Sequence, residues 1–239
     1  MTRFYQKNEL AFSITWIALY VILFSAADQI SANLGTVKIV TAPMCLVMIA
    51  FLAVWIGRNG LAEKYGLGKV KINYRNYLYF LPLVVIASTN LWRGVGLHMS
   101  VLETILYVVS MLCVGFLEEV IFRGFLFKAL CRQNVKRAIL ISSITFGIGH
   151  IVNLLNGAEV FSTLLQICYA SAVGFLFTII FYRSKSLVPC ILTHSAVNSL
   201  SAFGVSRGKA SDMIVAAVLT VVSLAYAVWM EKANHSDVN

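Results

Sequence analysis

Apolar runs long enough to approach a membrane crossing recur from Ala11 to Met230, and no long polar block separates them. A hydrocarbon core of about 30 Å takes roughly 20 apolar residues of helix. Eight runs come near that length, at 10–27, 38–56, 76–91, 103–127, 137–155, 160–182, 187–204 and 212–230. The expected fold is therefore all-α, a polytopic bundle of about eight transmembrane helices forming one integral membrane domain over 1–239. Composition agrees, since 59% of the residues are hydrophobic and only 12% charged, against about 25% charged in an ordinary soluble domain. The third run is the weakest, being short and interrupted by Pro82, and an interfacial or half-buried helix would also explain it. The first run follows a weakly basic start and ends on Ser25, Ala26 and Ala27, as a signal peptide would. A retained span is the better reading, because further spans follow and the charge pattern requires it.

A net charge of +9 would suit a nucleic-acid partner if the basic residues formed one surface. They instead cluster in alternate short loops. With eight spans and a cytoplasmic N-terminus, 14 of 19 Lys and Arg fall on the inner side, as the positive-inside rule requires. This places both termini in the cytoplasm and argues against nucleic acid as a partner, and the short loops suggest a multi-pass bacterial plasma-membrane protein. Gly57 to Asn76, rich in Gly, Lys and Tyr, is expected on the cytoplasmic surface against anionic lipid headgroups. The tail from Glu231 to Asn239 is polar. The five cysteines are scattered singly and read as buried free thiols. Nothing in the chain sets its oligomeric state.

Within the run Val114 to Phe127 stand three ionisable residues, Glu118, Glu119 and Arg123. A charge at the bilayer centre costs on the order of 3 kcal/mol on insertion scales, so such residues face a protein interior or a polar cavity. On an α-helix neighbours diverge by about 100°, whereas residues four apart share a face. Glu119 thus lies beneath Arg123 as a buried pair, and Glu118, with Phe122 at that spacing, is the freer carboxylate. His150 lies in the following span, and His194 with Asn198 forms an i,i+4 pair in the seventh. Counted along the helices, Glu118, His150 and His194 all fall near mid-membrane or toward the cytoplasmic side. His98, His235, Glu103, Glu159 and Asp212 lie near span ends and receive no role. Ser195 has no glycine elbow and points off the His194 face, so a serine mechanism is set aside.

Glu118-Glu119-x-x-x-Arg123, Phe146-x-x-x-His150 and His194-x-x-x-Asn198, in that order, resemble the CPBP family. It includes the CAAX prenyl endopeptidases of the Rce type and the bacterial Abi proteins linked to bacteriocin processing and self-immunity. The motifs fall within a core of about 103–204. The resemblance implies an intramembrane endopeptidase with an internal polar cavity, acting on a membrane-associated peptide or prenylated protein near the cytoplasmic leaflet. By the same resemblance Glu118 activates water with help from His150, His194 and Asn198 stabilise the oxyanion, and Glu119 and Arg123 organise the site. The family has also been described as metal-dependent. A zinc version would use Glu118, His150 and His194 with water in the fourth place. The absence of a His-Glu-x-x-His motif and the weakness of Asn as a zinc ligand favour a glutamate mechanism without a cofactor. Two alternatives carry no proteolysis: an immunity or scaffold protein held together by the polar cluster, and a proton-coupled transporter using Glu118 and His150.

Overall fold

The computed structural model describes residues 1–68, 80–205 and 207–233. Its elements are α1 (Thr2–Lys7), α2 (Glu9–Asn33), α3 (Thr41–Arg58), α4 (Leu81–Ser88) with a 3₁₀ turn at Thr89–Leu91, and α5 (Val101–Glu118). A π-helical stretch over Glu119–Phe127 continues α5 into α6 (Lys128–Cys131). Then come α7 (Val135–Gly149), α8 (Val152–Leu155), α9 (Val160–Ser184), α10 (Val188–Leu200) and α11 (Lys209–Ala233). Among the described residues there is no strand, only an isolated antiparallel bridge between Val95 and Gly204. The all-α membrane bundle expected from the sequence is what forms.

Six stretches are long and apolar enough to cross a membrane: Glu9–Asn33, Thr41–Arg58, Val101–Cys131, Val135–Leu155, Val160–Ser184 and Lys209–Lys232. The two other expected spans are shorter. The one placed at 76–91 is α4 and its 3₁₀ turn, and its first residues lie outside the described ones. The one at 187–204 is α10, whose 13 residues reach only about 20 Å at 1.5 Å each. Residues 69–76 of the polar segment expected on the cytoplasmic surface also lie outside the described residues, as does most of the tail.

The distribution of side chains is that of a protein in lipid. Ile22, Val47, Ile144, Leu164 and Val221 point outward, whereas Glu119 and Arg123 are 0% exposed. With apolar surface facing hydrocarbon, close packing and interhelical hydrogen bonds take over the work of holding helices together. The short α10 shows this. Ser195 donates to the Leu112 carbonyl of α5 at 3.0 Å, and Asn90 Nδ2 donates to the Val197 carbonyl at 2.6 Å. The backbones approach so closely that a Cβ on Gly115 would stand 2.3 Å from Ser195 Oγ and 2.5 Å from its amide nitrogen. Gly147 gives α7 the same intimacy with α9, where a Cβ would meet the Ile167 carbonyl at 2.8 Å.

At the end of the bundle that carries the basic loops, Phe125 of the π stretch packs edge-on against Phe12, Trp55 and Tyr65. Glu9, in the first turn of α2 behind the Asn8 cap, accepts from both Lys64 and Arg132 at 2.8 Å. These contacts fix the lower end of the long α5–π–α6 rod against α2 and α3, and so fix the height of Glu118 and Glu119. Overpacking a tight contact costs about 1–3 kcal/mol. Gly115→Ala is expected to lower the thermal unfolding midpoint in detergent, whereas Gly57→Ala, with nothing within 4 Å of the added carbon, should leave it unchanged.

Candidate active site

The π stretch puts its nine residues, Glu119 to Phe127, entirely in the interior. Such wide turns recur at functional sites. Ser142 of α7 donates to the Phe122 carbonyl within the stretch at 2.9 Å. Glu118 and Glu119, where the stretch begins, keep α-helical backbone angles, and one imidazole reaches toward both.

That imidazole is His194. Its Nδ1 lies 2.8 Å from Glu119 Oε1, and its Nε2 lies 3.6 Å from Glu118 Oε2. The first is a hydrogen bond and the second is too long to be one. Arg123 Nη1 donates to the same Glu119 oxygen at 3.0 Å. The guanidinium lies over the Phe146 ring, 4.0 Å from its centroid. Phe146 also meets His150 and His194 edge-on, with centroids 5.2 and 5.7 Å apart. Glu119 Oε2 and Arg123 Nε and Nη2 are buried with no protein partner among the described residues. The pair therefore depends on one short contact and on the aromatic face.

Glu118 has a different environment. It is partly accessible, its side chain 14% exposed, at the inner end of a cavity of about 710 Å³. Its Oε1 accepts the Tyr20 hydroxyl at 2.8 Å. His150 and Asn198 line the same cavity, and His194 stands behind its wall. His150 Nδ1 lies 3.1 Å from the Phe146 carbonyl. That oxygen can only accept, so Nδ1 carries the hydrogen and Nε2 keeps its lone pair.

The structure thus gathers Glu118, Glu119, Arg123 and His194 into one contact chain, and sets His150 and Asn198 on the same cavity without a direct bond to it. Sequence reasoning did not find Tyr20. It is one of 10 tyrosines in an apolar run outside every motif, and only tertiary packing brings α2 against α5. Phe146 entered as a motif letter, and its place between Arg123 and both histidines is a matter of three-dimensional packing.

A family model described as type II CAAX prenyl endopeptidase Rce1-like matches residues 99–200. Over these residues the chain is similar to that family. The Rce1-like segment starts beside the Ser100–Glu103 capping box of α5 and ends with the last residue of α10. It therefore holds Glu118, Glu119, Arg123, His150, His194 and Asn198, while Tyr20 lies outside it. Comparisons with curated proteins and with solved structures found no match. The Rce1-like match supports an intramembrane CAAX-type protease, a hydrolase of peptide bonds, and the six long apolar helices fit an integral multi-pass membrane protein.

A catalytic zinc ion takes three protein ligands at about 2.0–2.3 Å. Among the described residues no three His, Cys, Asp or Glu side chains gather in a way that would hold an ion. His194 commits Nδ1 to Glu119, and His150 stands apart from the pair of glutamates. The residues as arranged do not fit zinc, and no chemical step is routed through it.

Removing one member of a buried ion pair strands the other and costs about 3–5 kcal/mol, whereas removing both charges is much milder. Arg123→Ala is expected to lower the unfolding midpoint sharply and to reduce the folded yield. Arg123→Met combined with Glu119→Gln should recover part of that loss, as measured by thermal unfolding in the same detergent.

Proposed function

We propose that the protein is an intramembrane endopeptidase that hydrolyses a peptide bond of a membrane-associated peptide or protein, with Glu118 activating the attacking water. The observation that carries this reading is the contrast between two adjacent carboxylates. Glu119 is sealed in an ion pair, whereas Glu118 reaches a cavity with one oxygen fixed by Tyr20 and the other turned toward His194. A general base needs that combination of access to the reacting water and a fixed orientation.

In the proposed reaction Glu118 Oε2 takes a proton from water as the water oxygen bonds to the scissile carbonyl carbon. The carbonyl electron pair moves onto its oxygen. Asn198 Nδ2 and a ring N–H of His194 donate to that oxyanion. Collapse of the intermediate breaks the C–N bond, and the leaving nitrogen takes the proton that Glu118 received. His150, with Nε2 as acceptor, helps to orient the water. Tyr20 holds Glu118 in one rotamer, and Arg123 holds Glu119. A prenylated C-terminal segment and a leader-bearing peptide both suit this chemistry, and the chemistry itself requires no cofactor.

A positioned general base contributes about 10²–10⁴ in rate, and a hydrogen bond to a charged group about 1.5–3 kcal/mol. Comparing the proteomes of cells that carry the native chain or Glu118→Gln should reveal a precursor that accumulates uncleaved in the variant. Equal processing in both would remove Glu118 from the mechanism. Tyr20→Phe should cleave the same precursor about ten times more slowly than the native chain, read as initial rates on purified protein.

A further inference from the structure

Lys128 is the first residue past the π stretch, and its ammonium lies 5.0 Å from the centroid of the Phe181 ring on α9. It stands close to the end of the rod Val101–Cys131, at the level where spanning helices meet lipid headgroups. Lys185 caps the C-terminus of α9 with a φ of 57°, in the left-handed region that a helix end usually gives to glycine or asparagine. The turn is held in place: the Lys185 amide donates to the Phe181 carbonyl at 2.9 Å, and the Leu187 amide donates to the Gly66 carbonyl at 3.0 Å. The Lys185 ammonium lies 4.2 Å from the centroid of the Tyr182 ring. Phe127, the last residue of the π stretch, packs edge-on against both rings and so joins the rod to α9.

Both ammoniums have an aromatic face on one side and no acceptor on the other. Among the described residues neither enters an ion pair or a side-chain hydrogen bond. An aromatic face steadies an ammonium but gives its three N–H groups no lone pair. Apart from the Cys131 thiol, the titratable groups that act on Lys128 are Lys185 and Lys64, both positive. Lys64 in turn shares the Glu9 carboxylate with Arg132. Lys64, Lys128, Arg132 and Lys185 are thus met by a single ion-paired carboxylate, and residues 69–79 contain neither Asp nor Glu. Packing brings like charges together here and leaves their donors open to an anion.

We propose that Lys128 and Lys185 form a binding site for the phosphate of an anionic phospholipid. A phosphodiester carries oxygens enough to accept from both ammoniums, and basic pockets between spanning helices are suited to such headgroups. The surroundings favour a lipid over free phosphate. Val188 and Leu192, which follow Lys185 on α10, point outward and give the acyl chains an apolar face beside the headgroup. A lipid seated there ties the rod that carries Glu118 to the end of α9. The site lies apart from the cavity that reaches Glu118, whose lining includes neither lysine, and its occupation is independent of the endopeptidase reading.

The test is thermal unfolding of the purified full chain in nanodiscs of phosphatidylcholine alone or of phosphatidylcholine and phosphatidylglycerol in equal parts. A ligand that binds only the folded state raises its midpoint, so the native chain should unfold several degrees higher in the discs that contain phosphatidylglycerol. Lys128→Gln combined with Lys185→Asn, asparagine being at home in the left-handed region, should lose that difference. In phosphatidylcholine alone its midpoint should equal or exceed the native one, because two like charges no longer face each other. Lys136→Gln combined with Arg137→Gln removes the same charge from exposed positions at the same end of the bundle and should keep the difference. If the first double variant gives no folded protein, Lys185→Asn alone, at an exposed position, should lose part of it. Inorganic phosphate added to the phosphatidylcholine discs should not reproduce the rise. The proposal is overturned if the native chain shows no difference between the discs, if the Lys128 and Lys185 variants keep it in full, if both double variants lose it equally, or if free phosphate restores it. No arm of the test reads proteolysis, so its failure is distinct from a failure of Glu118 as the base.

Discussion

The buried contact chain from Arg123 through Glu119 to His194 is the constraint on which the rest of the site depends. A guanidinium held at zero exposure within apolar helices is tolerable only beside its counter-charge, and Glu119 supplies it on the same rod. Because the same carboxylate oxygen accepts from His194, the ion pair also fixes α10 in rotation and height. Phe146 closes the arrangement from α7 by covering the guanidinium and touching both imidazoles. Three helices are thereby locked by one charge pair, and Glu118, one residue away, is left free for the cavity.

Backbone features serve the same end. The π stretch buries all nine of its residues, and Ser142 of α7 ties one of its carbonyls, that of Phe122, to the neighbouring helix. Gly115 lets α10 close on α5 so that a helix too short to cross the membrane can bring His194 to the middle of the bundle. On the far side, the aromatic cluster around Phe125 and the Glu9 ion pairs hold the rod at a fixed depth. The strength of these constraints matters because lipid offers little hydrophobic drive for helix association.

Much of this was legible in the sequence, and the parts that were not share a cause. Length and apolarity exposed the six long helices, because a bilayer imposes that pattern on any chain that crosses it. The same criterion also picked out α4, whose expected span begins outside the described residues, and α10, which at 13 residues is shorter than the other six. The Glu119–Arg123 pair could be read from spacing within one helix. The contact of His194 with Glu119 and the hydroxyl of Tyr20 on Glu118 could not, since each joins residues 75 or more positions apart through packing that has no local signature.

The central claim is that two adjacent glutamates do separate work, Glu119 holding the structure and Glu118 the chemistry. Thermal unfolding of purified Glu118→Gln and Glu119→Gln in one detergent tests it most directly. Glutamine at 118 keeps an acceptor for Tyr20 and removes a charge from a partly polar site, so its midpoint should equal or exceed that of the native chain. Glutamine at 119 leaves Arg123 buried without a counter-charge, and its midpoint should fall well below. Equal losses in the two variants, or a larger loss at 118, would contradict the account.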